Sequence, residues 1–577
     1  MAVEADLVIR GGTVVDGSGG DLIDCDVAIT AGRIVAVGAD AAVTGREEID
    51  ARGKIVTPGF VDIHTHYDGQ VTWENSLSPS SGHGVTSVLL GNCGVGFAPC
   101  RPADRDRLVK LMEGVEDLPE IVLTTGLPWN WESFPDYLDV LGNRTYDIDI
   151  ATQIPHAALR VHVMGERASD REMATAEDCA AMARIAGEAI DAGALGFGTS
   201  RTLNHRASDG SHIPTLAAAE NELTAIALAL RERGAGVLQA VSDFTDVDAE
   251  LAMFRRVVER SGRPLSLSVM QWHQAPEKWR TIMDWTRDCN ADGLSVRGQV
   301  SGRPVGMMLG FDLSYHPFVF TPTFKSLLSL PRGERQAALH NADVRQRIVT
   351  ETPDPSDFPG AALLRMWELM YPLGEAPDYE PAPESHVAAR AARLGVTPAE
   401  LAYDLMMEQD GQAVLMLPSV NYAHGSLDAA REMLRHDHSV YGLGDGGAHL
   451  GFLCDASLPT FMLQYWARDR KRDRLPLAEV VRGLSHDTAN AIGLNDRGLL
   501  RPGYKADINI IDFDALTLGP PRVHYDLPAG GRRMIQAAAG YSATIVGGVT
   551  IQRDGVPTGA LPGRLVRGAQ RAGSVAA

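Results

Sequence analysis

Cysteine is scarce in this chain. Six residues in 577 (Cys25, Cys93, Cys100, Cys179, Cys289 and Cys454) are scattered, with none in a CxxC pair. That excludes a disulfide framework and reads as reduced thiols in a cytoplasmic protein. Long apolar runs are missing too, since no uninterrupted stretch of about 18 apolar residues is present to span a bilayer. The opening Met1-Ala2-Val3-Glu4-Ala5-Asp6 has neither the basic start nor the apolar stretch of a signal peptide. Positive charge is in deficit, with 53 Lys and Arg against 74 Asp and Glu and a formal net charge of -21. An acidic surface disfavours phosphate backbones and anionic lipid, so neither nucleic acid nor membrane is an expected partner. The expectation is a cytoplasmic protein acting on a small molecule, with assembly into a homo-oligomer left open.

What is present is an ordinary globular composition, 45% apolar and 22% charged. A chain this long predicts one large core with a smaller domain appended. Residues 1–57 read as short β segments punctuated by Gly11-Gly12, Asp16-Gly17 and Ala31-Gly32. A similar β pattern returns beyond residue 500, in Ile508-Asn509-Ile510-Ile511 and Thr544-Ile545-Val546. The two terminal pieces are expected to close one small β-sandwich, 1–57 with 501–577, whose last dozen residues read as a disordered tail.

Between them, 58–500 alternates β-like with helical runs. Candidate strands begin near Gly59, Val85, Ile150, Ala194, Gly236, Leu265, Leu294, Ala413 and Val440. One helix starts at the capping-box pair Thr175 and Asp178 and stops at Gly193, and another ends at Gly234. Such alternation predicts an α/β fold, a TIM-like (β/α)8 barrel. Nine candidates exceed eight strands, and the run at 413–418 is expected to be the extra one. Insertions at 101–149 and 301–410 are expected to roof the C-terminal face of the barrel. The aromatic cluster Trp129, Trp131 and Phe134 in the first of them suits packing beneath a loop better than substrate contact.

Three short motifs carry chemistry. In Pro58-Gly59-Phe60-Val61-Asp62-Ile63-His64-Thr65-His66, strand alternation turns both histidines to one side, the geometry for sharing one metal ion. Cys93, in Gly91-Asn92-Cys93-Gly94 after the next apolar run, would emerge on the same rim. Asp445, in Gly442-Leu443-Gly444-Asp445-Gly446-Gly447-Ala448-His449, ends a late strand on glycines that allow close approach, where it could bind a metal and take a proton from water. Alone, each has a plainer reading as a polar strand end, a small buried hydrophobe or an Asp-Gly turn. Together, in this order, they are far more specific.

The chain resembles the amidohydrolase superfamily, and within it the N-acyl-D-amino-acid deacylase family. The resemblance runs from DLVIRGGTVVDGSG through KIVTPGFVDIHTH, GVTSVLLGNCG and LPWNWESFPDYLD to GLGDGGAH, DRGLLRPGYKADINIID and TGALPGR. It implies a metal-dependent (β/α)8 barrel with a β-sandwich built from both termini, hydrolysing an amide. It further implies that His64, His66, Cys93 and Asp445 surround the metal, that a metal-bound hydroxide attacks the acyl carbonyl, and that Asp445 serves as base and then as acid to the leaving amine.

Two departures matter. The family carries a His at the end of the fifth strand and another at the end of the sixth, often with a Lys close behind. Here those strands read Gly236-Val237-Leu238-Gln239-Ala240-Val241-Ser242 and Leu265-Ser266-Leu267-Ser268-Val269-Met270-Gln271. Gln239 and Met270 are poor substitutes for imidazoles, and His273 could replace one only if its loop turns back. One Zn2+ is therefore expected rather than two, with another divalent metal as an alternative. His156 and Arg160 are expected to line the substrate pocket along with Gln239, Met270, His273 and His449, the last as a partner of the site or a lid residue. The leading reading is hydrolysis of an N-acyl amine or N-acyl-D-amino acid. Hydrolysis of a cyclic or other non-amino-acid amide is the alternative, and a non-catalytic binding barrel stands as a different class.

Overall fold

The computed structural model describes residues 4–38, 43–353 and 361–573. Eight parallel strands form the barrel: Phe60–Asp62, Val85–Leu90, Asp149–Thr152, Gly196–Arg201, Val237–Ser242, Leu265–Val269, Val296–Val300 and Ser439–Tyr441. The third turns at Gln153 and resumes as Ile154–Pro155, pairing with the second strand before the turn and the fourth after it. The ring closes just beyond the ends of its last and first strands. There the Asp445 N–H donates to the His64 carbonyl (2.9 Å) and the His66 N–H to the Gly446 carbonyl (2.7 Å).

Helices cover the outside. Helix Ala176–Ala192 starts as its sequence predicts: the Asp178 N–H donates to Thr175 Oγ1 (3.2 Å) and the Thr175 N–H to Asp178 Oδ2 (2.9 Å). Gly193, at φ 114°, ends it. Along the sixth strand Val269 lies on the helix side beside Met283, so alternation turns Ser266 and Ser268 toward the barrel interior.

The ninth candidate strand is Leu415–Val420, and it lies outside the barrel, antiparallel to Val305–Leu309 and Tyr371–Pro372. It belongs to the long excursion between the seventh and eighth strands, which has its own apolar cluster around Phe311, Phe318, Phe324, Tyr403 and Leu415. The earlier excursion supplies helices Arg105–Glu116, Glu120–Gly126 and Phe134–Gly142. Trp131 is buried there, its indole N–H donating to the Phe97 carbonyl (2.7 Å) and its ring against Trp129 and Tyr137. The aromatic cluster is thus packing, as its composition suggests.

Both termini contribute to one nine-stranded sheet, joined where Ile508–Ile511 runs antiparallel to Ile55–Pro58. Leu7, Ile9, Val27 and Ile29 share a core with Ile508, Ile510, Ala543 and Ile545, so burial of alternate residues on both terminal pieces holds them together. In Glu4–Val14 the register shifts between Ile9 and Gly12, and Gly11 takes the left-handed φ of 62° that this bulge requires. The expected disordered tail is in part a correction. The Val566 N–H donates to the Ile150 carbonyl (2.8 Å) and Gln570–Arg571 pairs with Leu494–Asn495, because the barrel leaves backbone groups there for the tail to satisfy. Residues 574–577 lie outside the described residues.

At the start of the third strand, Arg497 is buried against Asp149 (2.6 Å), Asp496 (2.9 Å) and Ser87 (2.9 Å), and Lys505 reaches Asp149 (2.9 Å) and Asp507 (2.7 Å). This knot ties the barrel floor to the terminal sheet, away from the strand ends that carry the site. Removing one partner leaves a buried charge uncompensated, so Arg497→Ala is expected to cost about 3–5 kcal/mol of stability. Chemical denaturation checks this, with kcat of the folded fraction unchanged.

Candidate active site and metal centre

His64 and His66 follow the first strand directly, and their rings sit 5.4 Å apart on the barrel axis side. Cys93 sits in a 3-10 turn after the second strand, with Sγ 3.3 Å from His64 Nε2. Ligand atoms of His64, His66 and Cys93 all lie within 4.8 Å of one another. Asp445 closes the group, its Oδ1 3.4 Å from His64 Nε2 and 3.6 Å from His66 Nε2. Four residues separated by up to 381 positions of sequence (64 to 445) thereby meet at one point.

The backbone that delivers them is strained. Cys93 (φ 53°), Leu443 (φ 64°), Asp445 (φ 47°) and His449 (φ 52°) are all left-handed although none is glycine. Such conformations cost on the order of 1–3 kcal/mol each and cluster at functional sites. The glycines of the late loop serve close approach: a Cβ on Gly444 would lie 2.1 Å from Asp62 Oδ2, and one on Gly446 2.4 Å from Ser80 Oγ.

Neighbouring side chains orient the group. Gln299, on the seventh strand, accepts from His64 Nδ1 (2.8 Å), which leaves Nε2 free to face Cys93 and Asp445. Asp62 Oδ1 accepts the His64 backbone N–H (3.0 Å). Gln239 Oε1 accepts the Cys93 backbone N–H (3.2 Å). Gln239 therefore braces the cysteine turn.

Charge is poised unevenly across the site. Burial lifts the Asp62 carboxyl to about 7, with the His64 backbone N–H opposing. It lifts the Glu116 carboxyl to about 7 as well, against the pull of His66, and the Cys93 thiol to about 11, again opposed by His66. Asp445 goes the other way: burial opposes its charge, but His66, His64 and His449 outweigh burial and hold it below the usual carboxylate range. The set of two imidazoles, a thiol and a carboxylate matches the N, S and O donors that bind zinc. His66 Nε2, the nitrogen that faces Asp445, is buried without a hydrogen-bond partner among the described residues. Such an atom is costly unless something coordinates it, so the residues fit a divalent cation.

Other expected pocket residues are placed elsewhere. His156 and Arg160 are fully buried and turned to Glu222, His156 Nε2 and Arg160 Nε lying 2.7 and 2.8 Å from its Oε1. His156 Nδ1 also meets Thr199 Oγ1 (2.8 Å), and Arg160 donates to the Glu172 carbonyl (2.8 Å). Two buried cationic-capable groups need a carboxylate, and Glu222 supplies it inside the protein rather than in a pocket. His273 is also a correction: its Nε2 is bound to the Pro418 carbonyl (3.0 Å), because the loop after the sixth strand packs on Leu415–Val420 instead of turning back. Met270 is half-buried just past the end of the sixth strand. His449 does join the group, its ring 6.4 Å from that of His66.

Two residues at the site carried no motif. Glu116 ends helix Arg105–Glu116, inside an insertion, and its carboxylate lies 3.3 Å from His66 Nδ1 and 3.5 Å from His449 Nε2. His205, bonded through Nδ1 to Ser200 Oγ (2.9 Å), is held at about 3 by burial and by the neighbouring His449 and His66. Its position shortly after the fourth strand was the one available signal, since loops at strand C-termini line barrel active sites.

The profile of the amidohydrolase family matches residues 47–552, most of the chain. The chain belongs to the amidohydrolase family. As an amidohydrolase it is a hydrolase of carbon–nitrogen bonds other than peptide bonds. It is 27% identical over 572 residues to an N-acyl-D-aspartate deacylase of Alcaligenes xylosoxydans xylosoxydans, covering 98% of this chain and 95% of that protein. Among solved structures it is similar to a D-aminoacylase variant in complex with CuCl2, with a TM-score of 0.65 and 22% identity. It is similar also to the N-acyl-D-glutamate deacylase of Bordetella bronchiseptica, complexed with zinc and a phosphonate mimic of the tetrahedral intermediate, with a TM-score of 0.64 and 22% identity. Each covers 98% of this chain and 100% of the solved one. Both of those solved proteins were thus obtained with a divalent metal.

Proposed function

We propose that this amidohydrolase deacylates N-acyl amines, N-acyl-D-amino acids among them, using one divalent cation held by His64, His66, Cys93 and Asp445. The observation that carries the reading is the convergence of those four side chains at the C-terminal rim of the barrel, with Asp445 Oδ1 3.4 and 3.6 Å from the two imidazoles. The resemblance of the whole chain to D-amino-acid deacylases supports the substrate class. Zn2+ suits the donor set best, and when bound it would acidify water and polarise the acyl carbonyl.

The chain's own residues do the rest. Asp445, kept ionised by His66 and His64, accepts a proton from water at the site and returns it to the leaving nitrogen at Oδ1. Gln299 holds His64 in the tautomer whose Nε2 faces the site. Glycines 444, 446 and 447 let the Asp445 loop press on Asp62 and Tyr67, which leaves no room there for a Cβ. A single cation is favoured because Gln239 spends its carbonyl on the Cys93 N–H and the inward positions of the sixth strand are Ser266 and Ser268, which are not usual zinc ligands. In this reading the barrel, 58–500, carries the chemistry, and 1–57 with 501–577 braces it.

The same interior favours a second reading, hydrolysis of a neutral or cyclic amide, since Gln239, Ser266 and Ser268, which the fifth and sixth strands present there, offer a substrate carboxylate no counter-charge. Metal analysis and a substrate panel test both. About one metal ion per chain and turnover of N-acyl-D-aspartate, N-acyl-D-glutamate or neutral N-acyl-D-amino acids is expected, with L-enantiomers and cyclic imides much slower. Turnover confined to lactams and cyclic imides would reject the deacylase reading in favour of the second.

A further inference from the structure

We propose that Glu116 is a positioning residue for the metal site, its carboxylate fixing the His66 imidazole from the side away from the cation. The inference rests on the metal reading above and adds to it a residue from an insertion. Glu116 is 1% exposed and neither carboxylate oxygen has a hydrogen-bond partner among the described residues. Its Oε1 lies 3.3 Å from His66 Nδ1 and its Oε2 3.5 Å from His449 Nε2, so one carboxylate stands between two imidazoles. A buried carboxylate with no other partner has only those ring N–H groups to accept from. When His66 donates through Nδ1, its Nε2 presents a lone pair toward Cys93 and Asp445, the atom that faces the cation. His64 is treated in the same way by Gln299, with a neutral acceptor in place of a charged one.

The surroundings lock Glu116 in that position. The His449 backbone N–H donates to the Glu116 carbonyl. Asp117, next in the chain and left-handed at φ 51°, accepts from the Gly451 N–H (2.8 Å) and from Ser314 Oγ (2.9 Å). The Glu116-Asp117 corner therefore joins three pieces: the first insertion, the loop that carries Asp445 and His449, and the long second insertion. None of the motifs that name the family includes it, and its helix sits between barrel strands that are complete without it.

The test is metal binding, independent of turnover. Zinc affinity is measured by competition with a chromophoric chelator, and the Co2+ form is examined by its visible absorption, for the wild type, Glu116→Ala, Glu116→Gln and His66→Ala. Glu116→Ala is expected to weaken zinc by about 10–100-fold and to alter the Co2+ spectrum. Glu116→Gln, which keeps an acceptor oxygen, is expected to recover most of the affinity. If Glu116→Ala is not folded, Glu116→Leu, which fills the same space but offers no acceptor, is measured in its place: zinc weakened by about 10–100-fold supports the proposal, and wild-type affinity and spectrum overturn it. Glu116→Ala with wild-type affinity and spectrum, while His66→Ala has lost the metal, overturns the positioning role and leaves the metal site intact. Wild-type binding by His66→Ala removes the metal reading, and the proposal with it.

Discussion

Asp445→Asn is expected to lower kcat by about 100- to 10,000-fold, the usual contribution of a positioned acid–base group, with a much smaller change in KM. The substitution is a clean one for structural reasons. Asn tolerates the left-handed φ of 47° at this position as well as Asp does, and the backbone bond from its N–H to the His64 carbonyl is untouched. The amide keeps an oxygen near His64 and His66, so the site keeps its shape. What it loses is the ability to take a proton from water and release it to the leaving amine. Steady-state kinetics on zinc-loaded protein, with the bound metal counted in both forms, is the measurement. A variant with full metal content and kcat within about threefold of wild type would remove Asp445 from the chemistry.

The second large effect is expected from His64→Ala. It deletes a ligand nitrogen lying 3.3 Å from Cys93 Sγ and 3.4 Å from Asp445 Oδ1, and it orphans Gln299 Oε1, which is bonded to His64 Nδ1. Loss of an orienting neighbour alone lowers metal affinity by about 10–100-fold, so loss of a ligand is expected to exceed that. Metal binding to the native state stabilises it by mass action, about 2.7 kcal/mol when the free ion is at 100 times its Kd. Added zinc should therefore raise the thermal midpoint of the wild type and leave that of His64→Ala unmoved. Equal shifts in the two proteins would show that zinc binds elsewhere. Leaving the buried Gln299 Oε1 unsatisfied is expected to cost the metal-free variant about 1–3 kcal/mol relative to metal-free wild type, so the readout is the zinc-dependent shift and not the midpoint itself.

The three motifs that located the site are local statements, and local geometry decides them. Alternation after a strand turns His64 and His66 to one side whatever else the chain does, and a strand followed by Gly-Asn-Cys or Gly-Asp-Gly leaves its polar residue on the rim. The barrel strands and the capped helix Ala176–Ala192 were legible for the same reason, since periodicity and caps depend on neighbours a few residues away.

Tertiary structure decided everything that depends on a partner chosen across the fold. Glu116 is unremarkable at the end of an amphipathic helix until the insertion lays that helix against His66 and His449. His156 and Arg160 sit beside the barrel rim in sequence, but Glu222, more than sixty residues away, buries them as a pair, since a buried charge takes the nearest good counter-charge. Gln239 holds the Cys93 turn rather than a metal, because the second and fifth strands bring its carbonyl to that backbone N–H. His273 is drawn off by the excursion that forms Leu415–Val420. The sequence by itself determined that His64, His66, Cys93 and Asp445 reach the rim of the barrel. Which side chains face one another was left to packing, because the free energy of a buried polar contact depends on the partner, and the partner is chosen only when the chain closes.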